Sequence, residues 1–260
     1  MGNKHTPIDD RGRSLALSPA RRFLLDLLRA SRDVPLVPIE RRMKLGPLVE
    51  ARQRLSVRPS WVAMTAKAFA LVAMRRPELR RAYLSWPRPR LYEHPHSVLA
   101  TIVEREIDGE TAVLAALRPY PESQSIAELS NWLRDCKVKP VVEIPSFRRA
   151  LRVARWPTPA RRCAWWAALQ WSGRRRARQF GTFGISVTAS FGADTLAVRS
   201  PITSSLHYGS LESDGTLPMR WTFDHRVLDG AVVARALVEM ENVLLTEVLA
   251  EISSPAHAAA

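Results

Sequence analysis

The sequence predicts an α+β fold, a mixed or mostly antiparallel sheet covered by helices. Three observations lead there. Apolar residues make up 46% of the 260-residue chain, enough for one good-sized core. Stretches with strand-like and with helical apolar spacing both occur, without a regular βαβ alternation. Asp108-Gly109 sits between two strand-like runs, a strong hairpin signal, and Asp214-Gly215 marks a second turn.

The elements follow in order. Residues 1–17 read as a flexible tail. In "SPARRFLLDLLRASRDVP", Ser18 is placed to cap a helix, Pro19 fits its first turn, and the run must stop before Pro35. "VPLVPIERRMKL" is extended, and Pro35 and Pro38 suit an edge or irregular strand. "GPLVEARQRL" is a short helix, and "RPSWVAMTAKAFALVAMRR" a longer buried one ended by Pro77. "SVLATIVERE" and "ETAVLAALR" form the hairpin. Ser125 with Glu128 makes a capping box for "SIAELSNWLRD". After a basic segment come the strand-like "GTFGISVTAS", "TLAVRS", "SSLHYGSLES" and "TLPMRWTF", then a long helix from Ala231. Residues 253–260 are a second tail, so one domain spans 18–252, with 137–179 as an insertion.

The net charge is +14, from 39 basic and 25 acidic residues. It is concentrated. No carboxylate lies between Glu143 and Asp194, while ten arginines fall there (148, 149, 152, 155, 161, 162, 174, 175, 176 and 178), and without them the charge is +4 (14 − 10). Two cysteines, Cys136 and Cys163, give neither a disulfide framework nor metal-ligand spacing, and read as free thiols of a reducing cytoplasm. No signal peptide and no membrane-spanning stretch is expected. His94 and His96 flank Pro95 in "YEHPHS", which reads as a surface loop before a strand.

The chemistry concentrates at "WTFDHRVLDGA", where a strand meets a helix. Histidine exchanges a proton near neutral pH, and a strand end holds it on rigid backbone, as a general base requires. Asp229, four residues after His225, can fix the local geometry, and Gly230 is expected to let the chain turn into the helix.

"DHRVLDG" between an apolar strand and a buried helix resembles the active-site motif of the dihydrolipoamide acyltransferases. These are the catalytic cores of 2-oxoacid dehydrogenase complexes, related to chloramphenicol acetyltransferase. The likeness continues in "GTFGIS", in "RPYPESQSIAELSNWLRD", in "FALVAMRRPELRRAYL" and in the opening helix–strand–helix, over residues 18–135 and 180–252. It implies a chloramphenicol acetyltransferase-like two-layer sandwich and an acyltransferase moving an acyl group from a thioester to a thiol, hydroxyl or amine. His225 would be the base, Ser186 the oxyanion donor, and Asp229 the residue shaping the histidine loop beside Arg226. The resemblance also implies a homotrimer with the site between subunits, histidine from one and serine from its neighbour. His207 and Thr188 would line the substrate channel, and Arg21 or Arg22 would pair with Asp229.

The chain departs from that family in three ways. No lipoyl domain is expected ahead of the core, and the acyl donor is expected to be acyl-CoA or a lipoyl or acyl-carrier protein. No covalently held cofactor and no metal is expected. "VTA" follows "GIS", and Gly184 replaces a threonine, so the channel walls differ. The bridge over 137–179 carries Trp156, Trp165, Trp166 and Trp171 among its arginines. One expectation is an amphipathic surface over 145–178, with these tryptophans and Arg174, Arg175 and Arg176 on anionic lipid at the inner face of the membrane. Another is a helical hairpin that buries its tryptophans in an assembly. A nucleic-acid patch is the weakest, resting on the arginine cluster alone. A silent scaffold is the alternative to an enzyme.

Overall fold

In the computed structural model, which describes residues 12–189 and 192–254, local signals act largely where the sequence puts them. Ser18 caps α1 (Pro19–Ala30), its Oγ accepting the Arg21 N–H at 3.0 Å. Ser125 and Glu128 close the capping box of α4 (Ile126–Val138). Asp108 and Gly109 both take positive φ, 52° and 75°, as the tight turn between β4 (Val98–Ile107) and β5 (Glu110–Pro119) requires.

Six strands form one mixed sheet in the order β1-β8-β7-β6-β4-β5, where β1 is Leu36–Lys44, β6 Phe183–Ile185, β7 Ser204–Tyr208 and β8 Thr216–Asp224. β4, β6 and β7 run parallel and the remaining pairs are antiparallel. Pro38 therefore lies on an edge strand, where its missing N–H costs no ladder bond. A separate ribbon pairs β2 (Arg81–Leu84) with β3 (Arg90–Glu93); nothing in the sequence announced it. "TLAVRS", expected as a strand, pairs with no strand among the described residues. It is an extended segment lying over the sheet, tied down by hydrogen bonds from His207 to the Leu196 carbonyl and from Arg220 to the Thr195 carbonyl.

The register assigns each residue to a face. Ile39, Trp221, Leu206, Ile185 and Thr101 stand in one row. That face is the core. It packs under α3 (Trp61–Arg75) and α8 (Gly230–Val243), and Phe69 of α3 stacks on Phe183 at 4.2 Å and meets Trp221 edge-on at 5.0 Å. Neighbouring rows hold Ala100, Gly184 and Ser205, then Arg220 and His207, on the opposite face.

The bridge covers part of that second face with three helices rather than the expected two: α5 (Pro145–Ala154), α6 (Thr158–Trp166) and, after a π turn over Ala167–Trp171, α7 (Gly173–Phe180). It is not a uniform basic surface. Phe147 and Trp165 are buried, and Trp165 touches Phe23 and Phe180. Arg161 lies 2.5 Å from buried Asp26, though poorly aligned for a hydrogen bond. Arg176 is 4% exposed. Trp165 and Arg176 thus cannot meet a membrane or partner. Helical spacing explains why: Gly173, Arg176, Ala177 and Phe180 share the inward face of α7. Trp156, Trp166, Trp171, Arg174 and Arg175 remain outside.

Candidate active site

β8 ends in Asp224, which is wholly buried, and the next residue, His225, emerges at the surface. The strand end is fixed by two backbone bonds, Asp224 N–H to Thr203 O at 2.9 Å and His225 N–H to Pro35 O at 3.0 Å. The Asp224 carboxylate then accepts three bonds from Arg226, from the backbone N–H at 3.0 Å, Nε at 2.9 Å and NH2 at 2.8 Å. The Arg226 guanidinium lies 4.5 Å over the Tyr83 ring. His225 is held between these two locked neighbours. Its side chain is 49% exposed, and its ring meets Phe223 edge-on at 5.7 Å.

Asp229 caps no backbone group, although it precedes the first turn of α8. Its carboxylate is 3.7 Å from His225 Nδ1, too long for a hydrogen bond. Among the described residues no arginine reaches Asp229, since Arg21 instead meets Glu110 at 3.3 Å. Gly230 also behaves differently from the expectation. It does not take a positive φ, and a Cβ there would meet only Ile39 Cδ1 at 3.6 Å, so no sharp turn depends on it.

Behind Asp224 stands Arg176, whose guanidinium donates to the carbonyls of Tyr83 at 3.1 Å, Leu169 at 3.3 Å and Pro201. Burial pushes it down to about 10, against the pull of Asp224. A bridge arginine that reads as surface is thus part of the support under the histidine loop.

Ser186 follows β6, its N–H donating to Leu206 O at 3.1 Å. It is half-buried and lines a cavity of about 280 Å³. The two proposed channel residues do not line this cavity. His207 shares the face of Ser205 and Gly184, but the extended segment carrying Leu196 covers it completely. Burial holds its pKa below 6.5, and Nδ1 has no partner among the described residues. Thr188 spends its hydroxyl on the Ala193 carbonyl and Thr195 Oγ1, both at 2.7 Å, and so shapes its loop. His94, expected on a surface loop, is buried, with Nδ1 2.7 Å from the His96 carbonyl. Among the described residues no cluster of three metal-ligating side chains occurs.

Ser186 and His225 do not meet within a chain. Ile185 is level with Leu206 and Trp221, so Ser186 is level with Arg220, five residues before His225 on β8. Five residues along a strand and two strand spacings across give a separation of ~15–20 Å. The two side chains can share a reaction only if they come from different copies of the chain.

The fold is shared with solved acyltransferase cores. A dihydrolipoamide acetyltransferase from Azotobacter vinelandii superposes with a TM-score of 0.65 at 17% identity, covering 94% of this chain and 98% of that one. A probable dihydrolipoamide acetyltransferase from Listeria monocytogenes gives 0.62 at 14%, covering 90% and 94%. A chloramphenicol acetyltransferase gives 0.50 at 14%, covering 86% and 94%. No protein-family model and no curated protein matches the sequence.

Proposed function

We propose that the chain is an acyltransferase that moves an acyl group from a thioester, acyl-CoA or an acyl- or lipoyl-carrier protein, to a thiol, hydroxyl or amine. The carrying observation is His225: a half-exposed imidazole without a hydrogen-bond partner among the described residues, at the end of an interior strand, braced by the pair of buried Asp224 and exposed Arg226. The shared fold supports the same reading. The Azotobacter structure addresses the role of a serine, a histidine and an asparagine, the last four residues after the histidine, in its catalytic mechanism. Here Asp229 stands four residues after His225.

The steps follow from the geometry. His225 takes the proton of the acceptor X–H as X attacks the thioester carbonyl. The resulting oxyanion receives a hydrogen bond from Ser186 of a neighbouring copy, a donor of the kind worth about 10²–10³ in rate. The intermediate collapses, the C–S bond breaks, and the imidazolium returns its proton to the leaving thiolate. Asp229 shapes the loop that carries His225. The reading requires at least two copies, and the resemblance makes the assembly a homotrimer.

The test is free-thiol release from an acyl-CoA series with dihydrolipoamide, simple alcohols and amines as acceptors. His225→Ala should lose activity by about 10²–10⁴ without losing the assembly. Turnover equal to wild type in that variant contradicts the proposal.

A scaffold or membrane-associated role is the second reading, favoured by one observation. Trp86, Trp166 and Trp171 form an exposed cluster, with Trp86 stacked on Trp171 at 4.9 Å and edge-on to Trp166 at 5.7 Å. Exposed Arg174 and Arg175 follow it in the chain. Such a patch suits the headgroup level of an anionic bilayer. No helix among the described residues is long and apolar enough to cross one.

A further inference from the structure

The cavity beside Ser186 is a half-open cleft lined mostly by apolar side chains, and an apolar concavity of this kind marks a binding site for a ligand or partner. Its volume is about 280 Å³, near the lower end of the range for small-molecule sites. Its floor is the outer face of β4, β5 and β6, and its walls are α1, α5, α6 and α7. The space comes from small side chains on rigid elements: Ala100 and Ala115 on the strands, Ala150 and Ala164 on the bridge helices, and Gly184 beside Ser186. A Cβ at Gly184 would already press on Ile202 Cδ1 at 3.0 Å. Among the described residues no carboxylate lines the cavity, and its charged members are Arg149 and Arg199.

We propose that this cavity holds the unbranched aliphatic chain of the acyl thioester, making the protein selective for medium-length acyl groups. The inference rests on the acyltransferase reading in one respect, the assignment of Ser186 as oxyanion donor. With the thioester carbonyl at Ser186, the acyl chain has one apolar direction to take, across β4 towards Ala115 on β5. A cavity of ~150 Å³ holds a six-carbon ring, so 280 Å³ suits a chain of roughly ten carbons. The bridge thus has a role as the cavity wall, apart from any surface role of its outer tryptophans.

Unreactive thioethers test this without requiring turnover. S-decyl-CoA should bind the full-length wild-type protein at least ~100-fold more tightly than S-methyl-CoA by calorimetry, the effect of burying about four methylenes. Ala115→Trp and, on another element, Ala150→Leu should each remove most of that preference. Equal affinity of wild type for the two thioethers overturns the proposal, as it would if a second copy of the chain filled the cavity. Free decanoate binding as tightly as S-decyl-CoA also overturns it, by showing that the occupant is a free acid. Retained preference for S-decyl-CoA in both correctly folded variants overturns the assigned location. Tight S-decyl-CoA binding without any acyl transfer upholds the cavity and refutes the acyltransferase reading, so the two fail separately.

Discussion

Arg174, Arg175 and Arg176 are neighbours in sequence and should respond very differently to the same substitution. Methionine keeps most of the stem and removes the guanidinium. At Arg176 it leaves the carbonyls of Tyr83, Leu169 and Pro201 without that donor and takes a cation from beside buried Asp224. At ~1 kcal/mol for each carbonyl, the low end for an unsatisfied buried group, the loss is about 3 kcal/mol. The relief of desolvating one guanidinium and the loss of attraction to Asp224 oppose each other and are taken as cancelling. For a domain of this size that lowers Tm by about 6–12 °C. Arg174→Met and Arg175→Met alter exposed residues and should stay within about 0.5 kcal/mol of wild type. Differential scanning calorimetry of the three variants is the assay. An Arg176→Met melting within 2 °C of the other two would refute the buried-brace account of the bridge.

Other outcomes follow from the same structure. Burial lowers the pKa of His94, His96 and His207 from 6.5, so the unfolded chain binds more protons just below that pH. Stability should therefore be full above pH 7 and fall as pH drops below about 6.5, and His207→Asn should flatten the decline in urea titrations. Burial pushes the Cys136 thiol up to about 11, while Cys163 is exposed, so the native protein should present one rapidly reacting thiol to a disulfide reagent at pH 8 and two in guanidinium. Replacing Trp86, Trp166 and Trp171 together by serine should abolish co-sedimentation with anionic vesicles if the cluster docks on lipid. Unchanged sedimentation would remove that reading. Deleting 145–178 is the poorer test, because it removes Phe147, Trp165 and Arg176 from the interior.

Much of this was legible in the sequence where one local rule acts alone. Ser18, the Asp108-Gly109 turn and the Ser125–Glu128 box each settle an element by short-range hydrogen bonding. The histidine joint was legible because strand, histidine and helix sit together in the chain. What depended on a third element was not. "TLAVRS" has the short apolar run of a strand, Leu196 to Val198, but such a run also suits an extended segment laid over a sheet. His207 lies on the expected face, yet the Leu196 segment covers it. Composition could not separate Arg176 from its neighbours, although its helical spacing with Gly173 and Phe180 would have marked it as inward. The cavity was invisible because it depends on alanines from distant elements converging.

The most direct test of the central claim is complementation between two inactive proteins. His225→Ala and Ser186→Ala chains are unfolded, mixed in equal amounts and refolded together, and thioester transfer is measured. If each site takes its histidine from one copy and its serine from the next, random assembly leaves about one quarter of the sites intact, since each of the two contributing chains is the right one half the time. The account predicts recovery to about one quarter of wild-type activity. Activity that stays at the level of the separate variants would show that the two residues do not act together across copies of this chain.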